Sequence, residues 1–172
     1  MDAYTPGAWH DFFVASAGAA AALTGLLFVG LSLHIRYIAS DATYRAMARG
    51  SLIGLVTVLV LSLIVLVSQP ATWTGAELAL VAAAYVLGSG GYDLATYIRA
   101  RRRMARPTLI RSGIGQLLAL TGVIGGLGIV FRWGPGLYVV AFISASVMVW
   151  NLWNAWVLLI GVADEETAQE AH

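Results

Sequence analysis

Five long apolar runs occupy most of this chain and leave room for little else. They are Phe12–Leu33, Gly50–Ala76, Leu78–Ile98, Ser112–Phe131 and Trp133–Ala163, and the only charge inside any of them is Asp93. A helix needs about 20 apolar residues to cross ~30 Å of hydrocarbon, and each run reaches or approaches that length. The expected fold is therefore all-α: a polytopic transmembrane helical bundle of about five spans with no soluble domain. The spans are expected near residues 12–34, 50–69, 76–98, 110–131 and 136–162 of a single transmembrane domain, 1–172. An acidic tail follows over 163–172, with Asp164, Glu165, Glu166 and Glu170.

Composition agrees. Charged residues make up 11% of the chain and mean hydropathy is +0.80, whereas soluble chains carry roughly 25% charged residues. The leader holds Asp2 and Asp11 but no Arg, and the first apolar run is long. A cleaved signal peptide has a basic start and an apolar core of about 7–15 residues, so the first run reads as a retained span.

Charge distribution sets an expected orientation. All 10 basic residues are Arg. Arg36, Arg45 and Arg49 fall between the first and second spans. Arg99, Arg101, Arg102, Arg103, Arg106 and Arg111 fall between the third and fourth, and Arg132 stands alone in the last connection. Basic residues accumulate in short cytoplasmic loops. The chain is thus expected in a bacterial plasma membrane with its N-terminus outside and its C-terminus cytoplasmic. Trp9, Trp73 and Trp133 fall at the opposite boundary, where aromatic rings favour the interface.

Local signals mark span edges. Ser40 or Asp41 suits the cap of a helix that runs through Arg45 and Arg49 into the second span. Thr74 with Glu77 fits a capping box. Pro107 and Pro135 suit first turns. Arg45, Arg49, Arg101, Arg102, Arg103 and Arg106 are expected to touch lipid headgroups, anionic ones above all.

Helices in lipid associate through small residues that let backbones approach. The first span carries Gly18, Ala22 and Gly25, and the fourth carries Gly122-x-x-x-Gly126. These are the expected packing seams, within the bundle or between copies. The second span, rich in Leu, Val and Ile, reads as a lipid-facing helix.

Asp93 is the one carboxylate well inside a span, where ionisable groups are costly and often functional. Gln116, Asn151 and Asn154 are expected at similar depth, so the four define a candidate polar cavity. They serve either transport or interhelical bonding, and Asp93 either moves ions or pairs with Arg99, Arg36 or Arg111. Gly88-Ser89-Gly90-Gly91 either loosens the third helix beside Asp93 or admits a neighbouring helix.

The chain has no Cys, no His pair at ligand spacing and no P-loop, His-Glu-x-x-His or Gly-x-Ser-x-Gly. No cofactor, metal, catalytic residue or nucleic-acid partner is expected. The leading expectation is a non-enzymatic accessory or regulatory subunit acting through helix–helix contacts. The alternative is a small oligomeric channel or transporter. The expected partners are the lipid bilayer and either a second copy or another membrane protein.

Trp9-His10-Asp11-Phe12-Phe13 and Ala21-Ala-Leu-Thr-Gly25-Leu-Leu-Phe28-Val29-Gly-Leu-Ser32-Leu carry a resemblance. Across residues 9–50 the chain resembles a family of small uncharacterised bacterial multi-pass membrane proteins. Some members bear the label of modulators of a membrane AAA protease. The resemblance implies membrane location and no functional residues.

Overall fold

A computed structural model describes residues 4–99 and 106–170. The side chains of residue 42, of 92–94, 96, 97 and 99, of 106–112 and of 162–170 lie outside that description. So do Arg101, Arg102 and Arg103 entirely. A 3-10 turn, Pro6–Trp9, leads into α1 (His10–Leu33) and the short α2 (Ile35–Ser40). Then come α3 (Ala42–Leu66), α4 (Ala71–Arg99), α5 (Arg106–Val130) and α6 (Gly136–Glu170). No strand occurs among the described residues. Five helices are long and apolar enough to cross a membrane. The chain is an all-α bundle with the character of a multi-pass integral membrane protein.

The spans alternate in direction, which gives the bundle an arginine end and a tryptophan end. At the tryptophan end, Tyr4 donates to the Gly134 carbonyl at 2.5 Å. At the arginine end, Gly161 lies against the Tyr44 ring. Two apolar cores follow from this arrangement. At the tryptophan end, Trp9, Phe13, Leu61, Val65, Leu78, Ile129, Leu137 and Val140 draw all five spans together. At the arginine end, Leu27, Leu31, Ile38, Ala48, Leu55, Ala155 and Leu158 join α1, α2, α3 and α6. Leu26, Leu80, Leu87 and Phe142 project outward, each at least 69% exposed. Bulky apolar side chains on an outer surface are what a bilayer accepts.

Helix ends follow their chemistry. Asp41 caps α3 by accepting from the Thr43 and Tyr44 amides at 2.6 and 3.1 Å. α5 closes in a Schellman motif: the Trp133 amide donates to Gly128 O at 2.8 Å and the Arg132 amide to Ile129 O. Arg132 takes the left-handed position at φ 52°, where glycine is usual.

Three expectations need correction. α3 is not a lipid-facing outer helix: Ser51, Gly54, Leu55, Val58, Leu61, Ser62 and Val65 are buried. In lipid a packed face and a solvated face are equally apolar, so Leu and Val content does not separate them. Thr74 caps nothing, because α4 begins at Ala71 and Thr74 is fully buried inside it. Glu77 instead accepts from Gln69 Nε2 at 2.8 Å. The glycines 88, 90 and 91 do not break α4, which runs continuously to Arg99. At the tryptophan end Trp9 packs into the bundle, its ring edge-on to Tyr138 at 4.6 Å between centroids. Trp73 and Trp133 remain exposed at that end. α6 continues past the last span into the acidic tail as far as Glu170.

Candidate functional site

The seams sort into two kinds. Gly122 and Gly126 lie on the buried face of α5 against α4. A Cβ on Gly126 would meet Ala79 N at 2.6 Å and Gly75 O at 2.8 Å, and one on Gly122 would meet Ala82 Cβ at 3.3 Å. Small residues on both helices thus bring two backbones into contact. Gly18, Ala22 and Gly25 do the reverse. All three are exposed, and a Cβ on Gly18 or Gly25 would meet nothing within 4 Å. The packed face of α1 is Phe13, Ser16, Ala17, Ala20, Leu27 and Leu31. At about 100° per residue, that face points away from the Gly18–Ala22–Gly25 stripe by about half a turn. The stripe is not a seam within the chain.

The polar groups expected to form a cavity are distributed among helix contacts. Gln116 Nε2 donates to Ser89 Oγ at 2.8 Å, across the α4–α5 interface, and Ser89 donates to Tyr85 O at 2.5 Å. Asn151 Nδ2 donates to Val147 O at 2.8 Å and Asn154 Nδ2 to Trp150 O at 2.9 Å, each one turn back in its own helix. Asn151 lies over Gly54 of α3, where a Cβ would come within 2.7 Å of its Oδ1. The Asp93 side chain is outside the described residues, as are those of Arg106 and Arg111. Arg45 is exposed and donates to Ala39 O at 2.8 Å, and Arg49 is also exposed.

Between α3, α4, α5 and α6 lies a cavity of about 40 Å³. Gly54, Thr57, Tyr85, Gly115, Gly122, Ser144 and Asn151 contribute to its lining. Neither Gln116 nor Asn154 lines it. Ser144 is fully buried and its hydroxyl has no hydrogen-bond partner. Sequence reasoning passed over Ser144, Tyr85 and Gly54. The available signal was Gly54, the one glycine in the Leu52–Val67 stretch.

No group of three or more His, Asp or Glu residues that could hold a metal occurs among the described residues. One titration direction is clear outside the spans. The Tyr44 and then Thr43 amides donate to Asp41 and hold its carboxyl below the ordinary 3.8. No family model, curated protein or solved structure matches this chain.

Proposed function

We propose that this chain is an accessory or regulatory subunit of the bacterial plasma membrane, without catalytic chemistry of its own. It works by holding another membrane protein, or a second copy of itself, through helix–helix contact. The supporting observation is the two-sidedness of α1. Its bulky face, Phe13, Leu27 and Leu31, is buried in the bundle, while Gly18, Ala22 and Gly25 lie on the outer side. Within the chain, the same kind of surface is what joins α4 to α5. Lipid tails supply no hydrophobic drive for association, so close backbone approach is the main attraction left.

The arginine end is assigned to the cytoplasm because nine of the 10 Arg lie there, with anionic headgroups as their partners. The polar-cavity alternative centred on Asp93 has less support, since Gln116, Asn151 and Asn154 direct their donors into bonds within the bundle.

The test is extraction from native membranes in polymer-bounded discs that retain neighbouring lipid. The chain should emerge with a stoichiometric partner or as a defined oligomer. Gly18→Leu combined with Gly25→Leu should release it without lowering its melting temperature. Recovery of the unsubstituted chain as a lone monomer would overturn the proposal.

A further inference from the structure

Arg132 is out of place twice. It stands at the tryptophan end, opposite the other nine Arg, and it holds φ 52° in the turn between α5 and α6. That left-handed backbone strains a side-chain-bearing residue, and glycine escapes the strain. Strain kept at a surface turn calls for something that the side chain does. Nothing within the chain uses it. Arg132 is exposed, and its guanidinium makes no ion pair or hydrogen bond among the described residues. Asp11 and Glu77, the described carboxylates at this end, are engaged by His10 at 3.2 Å and by Gln69 at 2.8 Å.

Beside the same turn lies an open groove of about 150 Å³, roughly ten times the space that one water needs. Ile124, Gly125 and Gly128 of α5 form one side, Val139 of α6 the other, and Trp133 and Pro135 the mouth. The two glycines leave the α5 side without side chains to fill it. Ile124 is 53% exposed and Trp133 71%, so the groove faces the surroundings of the bundle. From Val130 back to Ile124 it descends about 9 Å along the helix axis. No charged side chain lines it.

Cation and groove together define the occupant. A free anion would use Arg132 and leave the groove bare. A hydrocarbon would fill the groove and leave the cation unanswered. A second copy docked here by two-fold symmetry would set this patch against itself, Arg132 against Arg132. An anionic phospholipid answers both features. Its phosphate lies at headgroup level, where an arginine can pair with it and where Trp133 also stands. Its acyl chain runs into the hydrocarbon in the direction of the groove. We propose that this groove binds one anionic phospholipid of the leaflet at the tryptophan end. Arg132 holds the phosphate, and one acyl chain lies against Ile124, Gly128 and Val139. The site is on α5 and α6, so the inference stands independently of the α1 contact face.

The experiment is site-resolved photolabelling of the full chain in nanodiscs. A small fraction of the lipid is phosphatidylglycerol, or in a parallel sample phosphatidylcholine, with a diazirine midway along one acyl chain. Adducts are mapped by mass spectrometry after illumination. Labelling of residues 124–139 should saturate with phosphatidylglycerol and exceed that with phosphatidylcholine about fivefold, the enrichment one interfacial arginine gives. Labelling around Leu80, an outward position of α4 near the same end, should show no such preference. Arg132→Gln should erase the preference at the groove. Arg132→Gly should do the same in a chain whose turn is relieved of φ 52°. Equal labelling of the groove by the two lipids, or a preference undiminished in either variant, would overturn the inference. So would an absence of adducts on 124–139 in a chain labelled around Leu80, because protein rather than lipid would then cover the groove.

Discussion

Gly126→Ala adds one methyl group at the closest backbone approach in the bundle. The new Cβ would sit 2.6 Å from Ala79 N and 2.8 Å from Gly75 O. Ordinary contact for carbon lies near 3.5–4.0 Å, so the two helices must separate by roughly 1 Å. Both obstructing groups are backbone, and neither can turn aside as a side-chain tip would. Overpacking of this kind costs about 1–3 kcal/mol. Replacing a mid-helix glycine by alanine returns about 1 kcal/mol of helix propensity, so the net loss should be about 0–2 kcal/mol. Gly18→Ala is the internal control. Its Cβ meets open space, so only the propensity gain applies in the isolated chain. The propensity gain is common to both variants, so unfolding them in bicelles, with the monomeric chain isolated first, should separate them by the overpacking cost alone, about 1–3 kcal/mol. Equal stabilities would refute the assignment of α5 as the packed glycine helix and α1 as the open one.

Gly54→Leu should destabilise by about 1–3 kcal/mol, because its side chain would occupy the place of the Asn151 amide. A melting temperature unchanged in detergent would contradict the buried placement of α3. Arg132→Gly should stabilise the α5–α6 turn by about 1 kcal/mol, since Arg132 holds φ 52°; a loss on thermal unfolding would mean that the arginine side chain matters more than the backbone. Asp41→Ala should fray the first turn of α3 at a cost of about 1 kcal/mol. Because the folded carboxyl lies below the ordinary 3.8, the cap is fully present above that value and is lost as pH falls through the lower folded pKa. The Thr43 and Tyr44 amide resonances should report a midpoint below 3.8, and a midpoint at or above that value would contradict the cap.

The number of spans and the two ends of the bundle were legible because they depend on run length and on where Arg and Trp fall. The cap at Asp41 was legible for a similar reason, being a local hydrogen-bonding pattern. Which face of each helix packs was not legible. In a soluble helix polarity marks the outside, but α3 carries Leu and Val on every side, and its packed face depends on Gly54 meeting Asn151 from another helix. The small residues of α1 and of α5 look alike in sequence. Only the surrounding helices distinguish Gly126, pressed against α4, from Gly18, which faces open space. Asn151 and Asn154 are buried and Gln116 is half-buried. Their partners, two of them carbonyls of their own helix, are a matter of rotamer and packing that spacing does not encode.

The central claim is that the Gly18–Ala22–Gly25 face of α1 meets another membrane helix, and proximity in native membranes tests it most directly. Gly18→Cys, in a chain with no other cysteine, would be treated with a short lipid-soluble bifunctional crosslinker before any detergent is added. Leu80→Cys, on the exposed side of α4, serves as the reference. The account predicts one discrete adduct from Gly18→Cys, lost when Gly25→Leu is added, and none from Leu80→Cys. An adduct from Leu80→Cys alone, or none from Gly18→Cys, would contradict it.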